Sequence, residues 1–314
     1  MKEKIINLLA KAKNFFLSFP GRLRPRGNAR WIVTTVLWVL ILAYLGLGTY
    51  FGIAVYKKHA DTPAVRVAVK VFPYPAAFVN GDIIWVKEYY KQMSYIKQYD
   101  LSTNAQFSES EMRPQVMAQL IDNRIIKWEA AKSNVKVTSK DVNDAYQKIV
   151  SDKGEVEVQK VLKELYGMEV GDFKDLIKVQ ILQEKVQNDL IAQVKLSHIF
   201  TKDEARANEV VNKLKSGEDF AALAKTYSED TKTRDSGGDL GWIARGNLVI
   251  DNQNVPEFET AAFSAKIGEV FGPVKTSVGF EIGRVDEKKG KIQKSYSDWL
   301  NDARKRAKII HFLF

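Results

Sequence analysis

The sequence predicts an α+β protein held by one transmembrane helix, with an all-α module between that helix and a compact mixed domain. Three observations carry the prediction. Trp31 to Tyr56 is a run of 26 residues without a charge. From Lys87 to about Ala192 the apolar residues recur at helical spacing. Between Val194 and Lys288 short strand-like runs alternate with helical ones across glycine-rich turns, as in a small sheet with helices around it.

Composition narrows the function before any motif is read. The 314 residues include no cysteine, which excludes thiol nucleophiles, disulfides, cysteine-based zinc or iron–sulfur sites and a lipid anchor on cysteine. The three histidines, His59, His198 and His311, are too scattered for a histidine metal cluster, so no metal and no cofactor is expected. The net charge of +10 divides unevenly: residues 1–70 hold 12 basic and two acidic residues, and residues 71–314 hold 36 of each. The basic excess therefore belongs to the N-terminal segment, and a nucleic-acid partner is not expected.

A hydrocarbon core of ~30 Å needs ~20 helical residues, so residues 31–56 span it with some tilt. Trp31, Trp38, Tyr50 and Tyr56 stand at or near the ends, as interfacial aromatics do. A cleavable signal peptide has a shorter apolar region, ~7–15 residues, and no clear small-residue cleavage site follows here. Lys11, Lys13, Arg22, Arg24, Arg26 and Arg30 precede the span. That bias keeps the N-terminus in the cytoplasm and exports residues 57–314 across the plasma or inner membrane in a single pass. Within the basic segment 1–30, Ile5, Leu8, Leu9, Ala12, Phe15, Phe16 and Phe19 repeat at helical spacing, as in a helix lying on the lipid face. A loosely ordered basic tail fits the same residues.

Beyond the span, residues 57–75 read as a proline-containing linker, and Asn80-Gly81 between Ala77–Val79 and Ile83-Ile84 is a hairpin signal. In a helical module over 76–192, Met112, Val116, Leu120, Ile121, Ile125 and Trp128 make one apolar face. Thr138 with Asp141 forms a capping box, Gly167 stops a helix, and a long helix runs from about Phe173 to Ala192. Nothing in this module has catalytic spacing, so it reads as a packing or binding unit. The mixed domain, 193–290, contains a strand Val194–Phe200, a helix ending at Ser216-Gly217, a helix Phe220–Tyr227 and a glycine-rich loop Ser236–Trp242 leading to a strand. A helix around Phe258–Ala265 and strands Val270–Val274 and Phe280–Val285 follow. A last helix, Tyr296–Lys308, and the apolar Ile309–Phe314 are expected to return to the helical module, so that 291–314 completes it.

Asp235-Ser236-Gly237-Gly238 has the letters of a serine-protease nucleophile loop. A triad needs a base histidine beside the serine, only His198 is available, and the two-barrel β pattern is missing. The motifs KLSHIF, LKSGEDFAALAKTYSED, SGGDLGWIARG, VPEFETAAF and KIGEVFGPVKTSVGFEIGRV together resemble the parvulin-type peptidyl-prolyl isomerases over essentially all of 194–287. AFVNGDII, QLIDNRIIKWEAAKSNVKVTSKDV and, in the tail, SDWLNDARKRAKI resemble the helical chaperone domain of the SurA, PrsA and PpiD group. The resemblance implies a parvulin domain (a small antiparallel sheet with surrounding helices), an all-α chaperone domain and the transmembrane helix already read. It also implies a site. His198 sits at the first pocket histidine, Asp230 at a position held by cysteine or aspartate, and Thr276 at the pocket threonine. Phe258 matches the aromatic that packs on the proline ring, Leu248 or Val255 takes the apolar slot, and Trp242 joins them as a substrate contact. The departure is Glu281, which replaces the second pocket histidine.

Rotating an X–Pro amide crosses a barrier of ~18–20 kcal/mol without breaking a bond, so no nucleophile is required. A pocket that binds the twisted amide better than either planar form suffices. The expected function is therefore a membrane-anchored, extracytoplasmic peptidyl-prolyl cis–trans isomerase and folding chaperone. Its partners would be unfolded or newly exported polypeptides with X–Pro bonds, and the lipid bilayer. The alternative is a membrane-tethered holdase with little catalysis. Because strand side chains alternate, Glu281 is expected opposite Phe280 and Ile282; the resemblance then implies that it points towards His198, in a direct or water-bridged contact.

Overall fold

A computed structural model describes residues 28–313, with side chains from Ile32 onward; the expected helix from Ile5 to Phe19 and the terminal Phe314 lie outside the described residues. The chain divides into two units, Met1–Phe72 and Pro73–Phe314. In the first, helix α1 (Asn28–Tyr56) runs unbroken for 29 residues, ~43 Å at 1.5 Å per residue. It is long and apolar enough to cross a membrane. Trp38, Leu40 and Leu42 on it are 62% to 65% exposed, a surface suited to lipid rather than water.

The segment 57–75, expected as a linker, instead contains helix α2 (Pro63–Val71). Thr62 caps it by accepting from the Val65 N–H, and Pro63 occupies the first turn, where a missing N–H costs nothing. The run Val-Arg-Val-Ala-Val-Lys-Val is apolar at every second position and so imitates a strand. The Thr-Pro start was the helix signal.

The second unit opens with an antiparallel hairpin, β1 (Pro75–Val79) and β2 (Asp82–Trp85), turning on Asn80-Gly81. Helices α3 (Val86–Thr103), α4 (Glu109–Lys132), α5 (Ser139–Lys153), α6 (Glu155–Val161) and α7 (Val170–Asp189) follow. The capping box forms at α5: the Thr138 N–H donates to Asp141 at 2.8 Å, and the Asp141 N–H donates back to the Thr138 hydroxyl at 3.2 Å. Tyr95, Tyr146, Leu162 and Ile177 form part of one core among these helices.

The mixed domain runs β3 (Gln193–Thr201), α8 (Glu204–Lys215), α9 (Phe220–Tyr227), β4 (Asp239–Ala244), β5 (Val249–Ile250), β6 (Gln253–Asn254), α10 (Pro256–Ser264), β7 (Val270–Lys275) and β8 (Phe280–Lys289). Its sheet is antiparallel in the order β4-β3-β8-β7, which makes β3 central. Alternation then sorts the faces. Ile199 and Ile282 pack with Val210, Phe220 and Leu223 of α8 and α9 on one side. Val194, Leu196 and Val285 pack with Phe258 and Ala262 of α10 on the other. Residues 250–254 close the β5–β6 hairpin with Asp251 and Asn252 in the left-handed region, which both residue types tolerate.

After β8 the chain forms α11 (Tyr296–Arg306) and β9 (Ile309–His311). Trp299 is buried with Ile126 and Ala130 of α4, Val186 of α7 and Ile191. The Arg304 guanidinium donates to both carboxylate oxygens of Asp122, at 2.6 and 2.5 Å. β9 adds to the outer edge of β1, giving a three-stranded sheet β2-β1-β9.

Candidate functional site

His198 on β3 lies opposite Gly283 on β8, and Glu281 lies opposite Phe200. The absence of a side chain at 283 admits two aromatic rings: a Cβ there would stand 2.2 Å from the Phe271 ring and 2.9 Å from that of Phe258. On the same side of the sheet, His198 and Glu281 are both fully buried, and the His198 Nδ1 is 2.9 Å from the Glu281 Oε2. The Phe258 ring centre lies 6.5 Å from the imidazole.

The other edge of the imidazole meets the loop after α9. Ser228 ties that loop to β3, its hydroxyl accepting from the N–H groups of Phe200 (3.2 Å) and Asp230 (3.3 Å). His198 Nε2 is then 3.0 Å from Asp230 Oδ2 and 2.9 Å from Thr233 Oγ1, while the Thr233 hydroxyl donates to Asp230 at 2.5 Å. Further along, Gly238 lets the loop backbone touch the strand: its carbonyl accepts from the His198 N–H at 2.8 Å, and a Cβ on it would fall 2.1 Å from the His198 carbonyl oxygen.

This geometry determines where protons reside. Both ring nitrogens face carboxylates, and the one hydroxyl present already donates to Asp230. One hydrogen therefore sits between Nδ1 and Glu281, and a second is donated from Nε2 to Asp230 and Thr233. Burial pulls the His198 pKa down, but the bonds and charges of Glu281 and then Asp230 outweigh it and leave it raised. Glu281 is also raised, chiefly by burial, with His198 opposing. Its Oε1 is buried without a partner, which adds to the cost of a full charge there. Asp230 is lowered: burial pushes up, and the Thr233 hydroxyl, the Lys232 N–H and His198 together overcome it. The net arrangement is a near-neutral buried pair braced against an ionised Asp230 whose side chain is 16% exposed.

The structure thus brings His198, Asp230, Glu281 and Phe258 together. Thr276 stands outside this hydrogen-bonded network; its hydroxyl donates to the Gly279 carbonyl at 3.2 Å and accepts from the Gly279 and Val278 N–H groups, closing the β7–β8 turn. Trp242, on β4, lies beneath the Lys289 ammonium, 4.4 Å from its ring centre. Leu248 and Val255 are both in the core with Phe258, so burial does not choose between them as lining of an apolar slot. Thr233 went unread in the sequence. An Asp followed three residues later by Thr in a turn was its signal, since such pairs bond locally.

Comparison with known proteins matches residues 24–187 to the SurA-like N-terminal domain and residues 199–287 to the PPIC-type PPIase, or rotamase, domain. Foldase protein PrsA 3 of Bacillus anthracis is 34% identical over 194 residues, which are 62% of this chain and 66% of that protein. Foldase protein PrsA of Caldanaerobacter subterraneus subsp. tengcongensis is 32% identical over 262 residues, covering 74% of this chain and 81% of the relative. A solved structure of the peptidylprolyl isomerase PrsA from Bacillus anthracis shares 32% identity, with 60% of this chain and 85% of that one covered and a TM-score of 0.31.

Proposed function

The chain belongs to the parvulin-type peptidyl-prolyl cis–trans isomerases that carry a SurA-like N-terminal domain, and from that premise we propose a membrane-anchored, extracytoplasmic foldase. In this reading α1 crosses the plasma or inner membrane once, with the N-terminus in the cytoplasm. The SurA-like module holds unfolded or newly exported chains, and the parvulin domain isomerises their X–Pro bonds. Topology is testable: protease added to intact spheroplasts should remove residues 57–314 and spare the N-terminus. Protection of the whole chain would refute it.

Chemically, the site would act by differential binding. A twisted prolyl amide has lost its resonance and changed its dipole, so fixed polar groups can favour it over the planar forms. Asp230 and Thr233 would supply those groups, and the buried His198–Glu281 pair would hold them in place. The observation that carries an active isomerase is the 2.9 Å His198–Glu281 contact: the residue that departs from the family pattern is bonded into the network. The test is a proline-peptide exchange assay on the purified protein, in which Asp230→Ala and His198→Ala should each lower kcat/KM by tenfold or more. A holdase with little catalysis is favoured by a different observation, that Phe258 and Val255 are fully buried and Leu248 nearly so. On that reading the intact protein has no rate above background, and the two substitutions change nothing.

A further inference from the structure

We propose that α2 is a lipid-contacting helix, lying at the acyl–headgroup boundary on the exported side of the membrane with Ala64, Val67 and Val71 against lipid. The proposal rests on the reading of α1 as the membrane span and adds a second contact with the bilayer.

The helix divides into three stripes. Val65, Ala68, Val69 and Phe72 are buried, at the i, i+3, i+4, i+7 spacing of one face. Ala64, Val67 and Val71 form a second face, and all three are exposed, Val67 at 63% and Val71 at 58%. Arg66 and Lys70, four residues apart, are the polar side chains of the helix. A helix in water usually shows one apolar stripe, turned to its core; here the apolar surface continues from the buried stripe through Ala64 onto exposed Val67 and Val71, and Arg66 and Lys70 hold only the remaining arc. A lone exposed valine needs no explanation. A helix with seven apolar residues out of nine, packed against a candidate membrane span, does.

Contacts within the first unit set its depth. The chain is still beside the end of α1 at Ala60, whose N–H donates to the Ala54 carbonyl at 3.0 Å. At the far end of α2 the Phe72 ring centre is 4.7 Å from that of Tyr44, and a Cβ on Gly48 would lie 3.1 Å from the same ring. α2 therefore folds back along the last turns of α1, and Gly48 provides the flat seat for Phe72. Counted from Trp31, a ~30 Å hydrocarbon core ends ~20 residues on, near Phe51. α2 therefore starts above that level, beside the end of α1, and ends with Phe72 beside Gly48 and Tyr44, ~5–10 Å below it, the depth of a helix lying at the acyl–headgroup boundary.

The charges suit the same place. Arg66 donates to both oxygens of Asp61, at 2.6 and 2.9 Å, so the acidic group nearest the helix is neutralised. Lys57, Lys58 and Lys70 are exposed on the same unit, where ammonium groups reach phosphate while their stems stay apolar.

Because the chain has no cysteine, single probes are simple to place. The full protein, with a nitroxide at Val67→Cys, Val71→Cys, Lys70→Cys, Leu37→Cys or Lys140→Cys in turn, is reconstituted in phosphatidylethanolamine–phosphatidylglycerol vesicles. Electron-spin relaxation by oxygen, which concentrates in lipid, is compared with relaxation by a water-soluble nickel chelate. Positions 67 and 71 should favour oxygen several-fold more than 70 and 140 do, though less than 37. Nickel access at 67 and 71 equal to that at 140, with 37 still in lipid, overturns the proposal and leaves the span intact. Nickel access at 37 as well overturns the span itself. Shielding of 67 and 71 from both reagents means that a protein covers this face, and also refutes lipid contact.

Discussion

Replacing Glu281 by glutamine separates the proton of the buried pair from its shape. Glutamine keeps the volume and can donate from its amide nitrogen to His198 Nδ1, with the ring neutral and its Nε2–H still directed at Asp230. What is lost is the difference between a hydrogen bond to a charged group, ~1.5–3 kcal/mol, and a neutral one, ~0.5–1.5 kcal/mol. Relief of the carboxylate's burial offsets part of that, so the net cost is ~1 kcal/mol or less. For a domain of about 100 residues this lowers the melting temperature by ~4–8 °C at most. His198→Ala is a different perturbation. It leaves Glu281 fully buried with neither oxygen partnered and opens a cavity beside Phe258, at ~3–5 kcal/mol and ~15 °C or more. Scanning calorimetry reads both. In the exchange assay, Glu281→Gln should move the pH midpoint of activity assigned to His198 downward, because burial remains and the strongest opposing partner is gone. Equal destabilisation by the two substitutions, or an unmoved pH midpoint in an active Glu281→Gln enzyme, would refute the shared-proton account.

Stability should follow the same protons. His198 and Glu281 are both raised, so each contribution is complete on the acid side of that group's ordinary value and is lost as pH rises through its own raised value. Asp230 is lowered, so its contribution is lost only as pH falls through that lowered value. The urea midpoint of the parvulin domain should therefore peak on the acid side of neutrality; a midpoint still climbing above about pH 8 would contradict the signs. Thr233→Val removes the hydroxyl that most strongly holds Asp230 ionised, and should cost ~1–2 kcal/mol and shift the acid limb of activity upward, whereas Thr233→Ser restores both; a valine variant with the parental pH profile argues for a purely structural hydroxyl. Trp299→Ala empties a buried site shared by α4, α7 and α11, at ~3–5 kcal/mol. Near-ultraviolet circular dichroism should show the helical module melting earlier while the isomerase rate at low temperature is kept; an unchanged melt would mean that the tail adds nothing to that module.

Much of this fold was legible because its signals are local. The Thr138–Asp141 box, the Asn80-Gly81 turn and the alternation around Glu281 each involve a few neighbouring residues, and backbone geometry ties such patterns to one outcome. Alternation alone separates Glu281 from Phe280 and Ile282. The helix over 63–71 escaped because the prolines at 63, 73 and 75 read as the punctuation of a linker, although Pro63 after Thr62 is the start of a helix.

The local elements, the charge asymmetry about the apolar run and the placement of Glu281 on the strand face opposite Phe280 and Ile282 were determined by the sequence itself. Their meeting was not. His198 and Glu281 are 83 positions apart, and a one-residue slip between β3 and β8 would turn one of them to the opposite face. The register of that pair, the glycine at 283 that admits two rings, and the loop that carries Thr233 to the imidazole became evident only in the tertiary structure. β9 is the same case at larger scale, since Ile309–His311 is a strand because the edge of β1 lies open beside it. Pairing across such distances is set by the packing of the whole core, which no short window of residues contains.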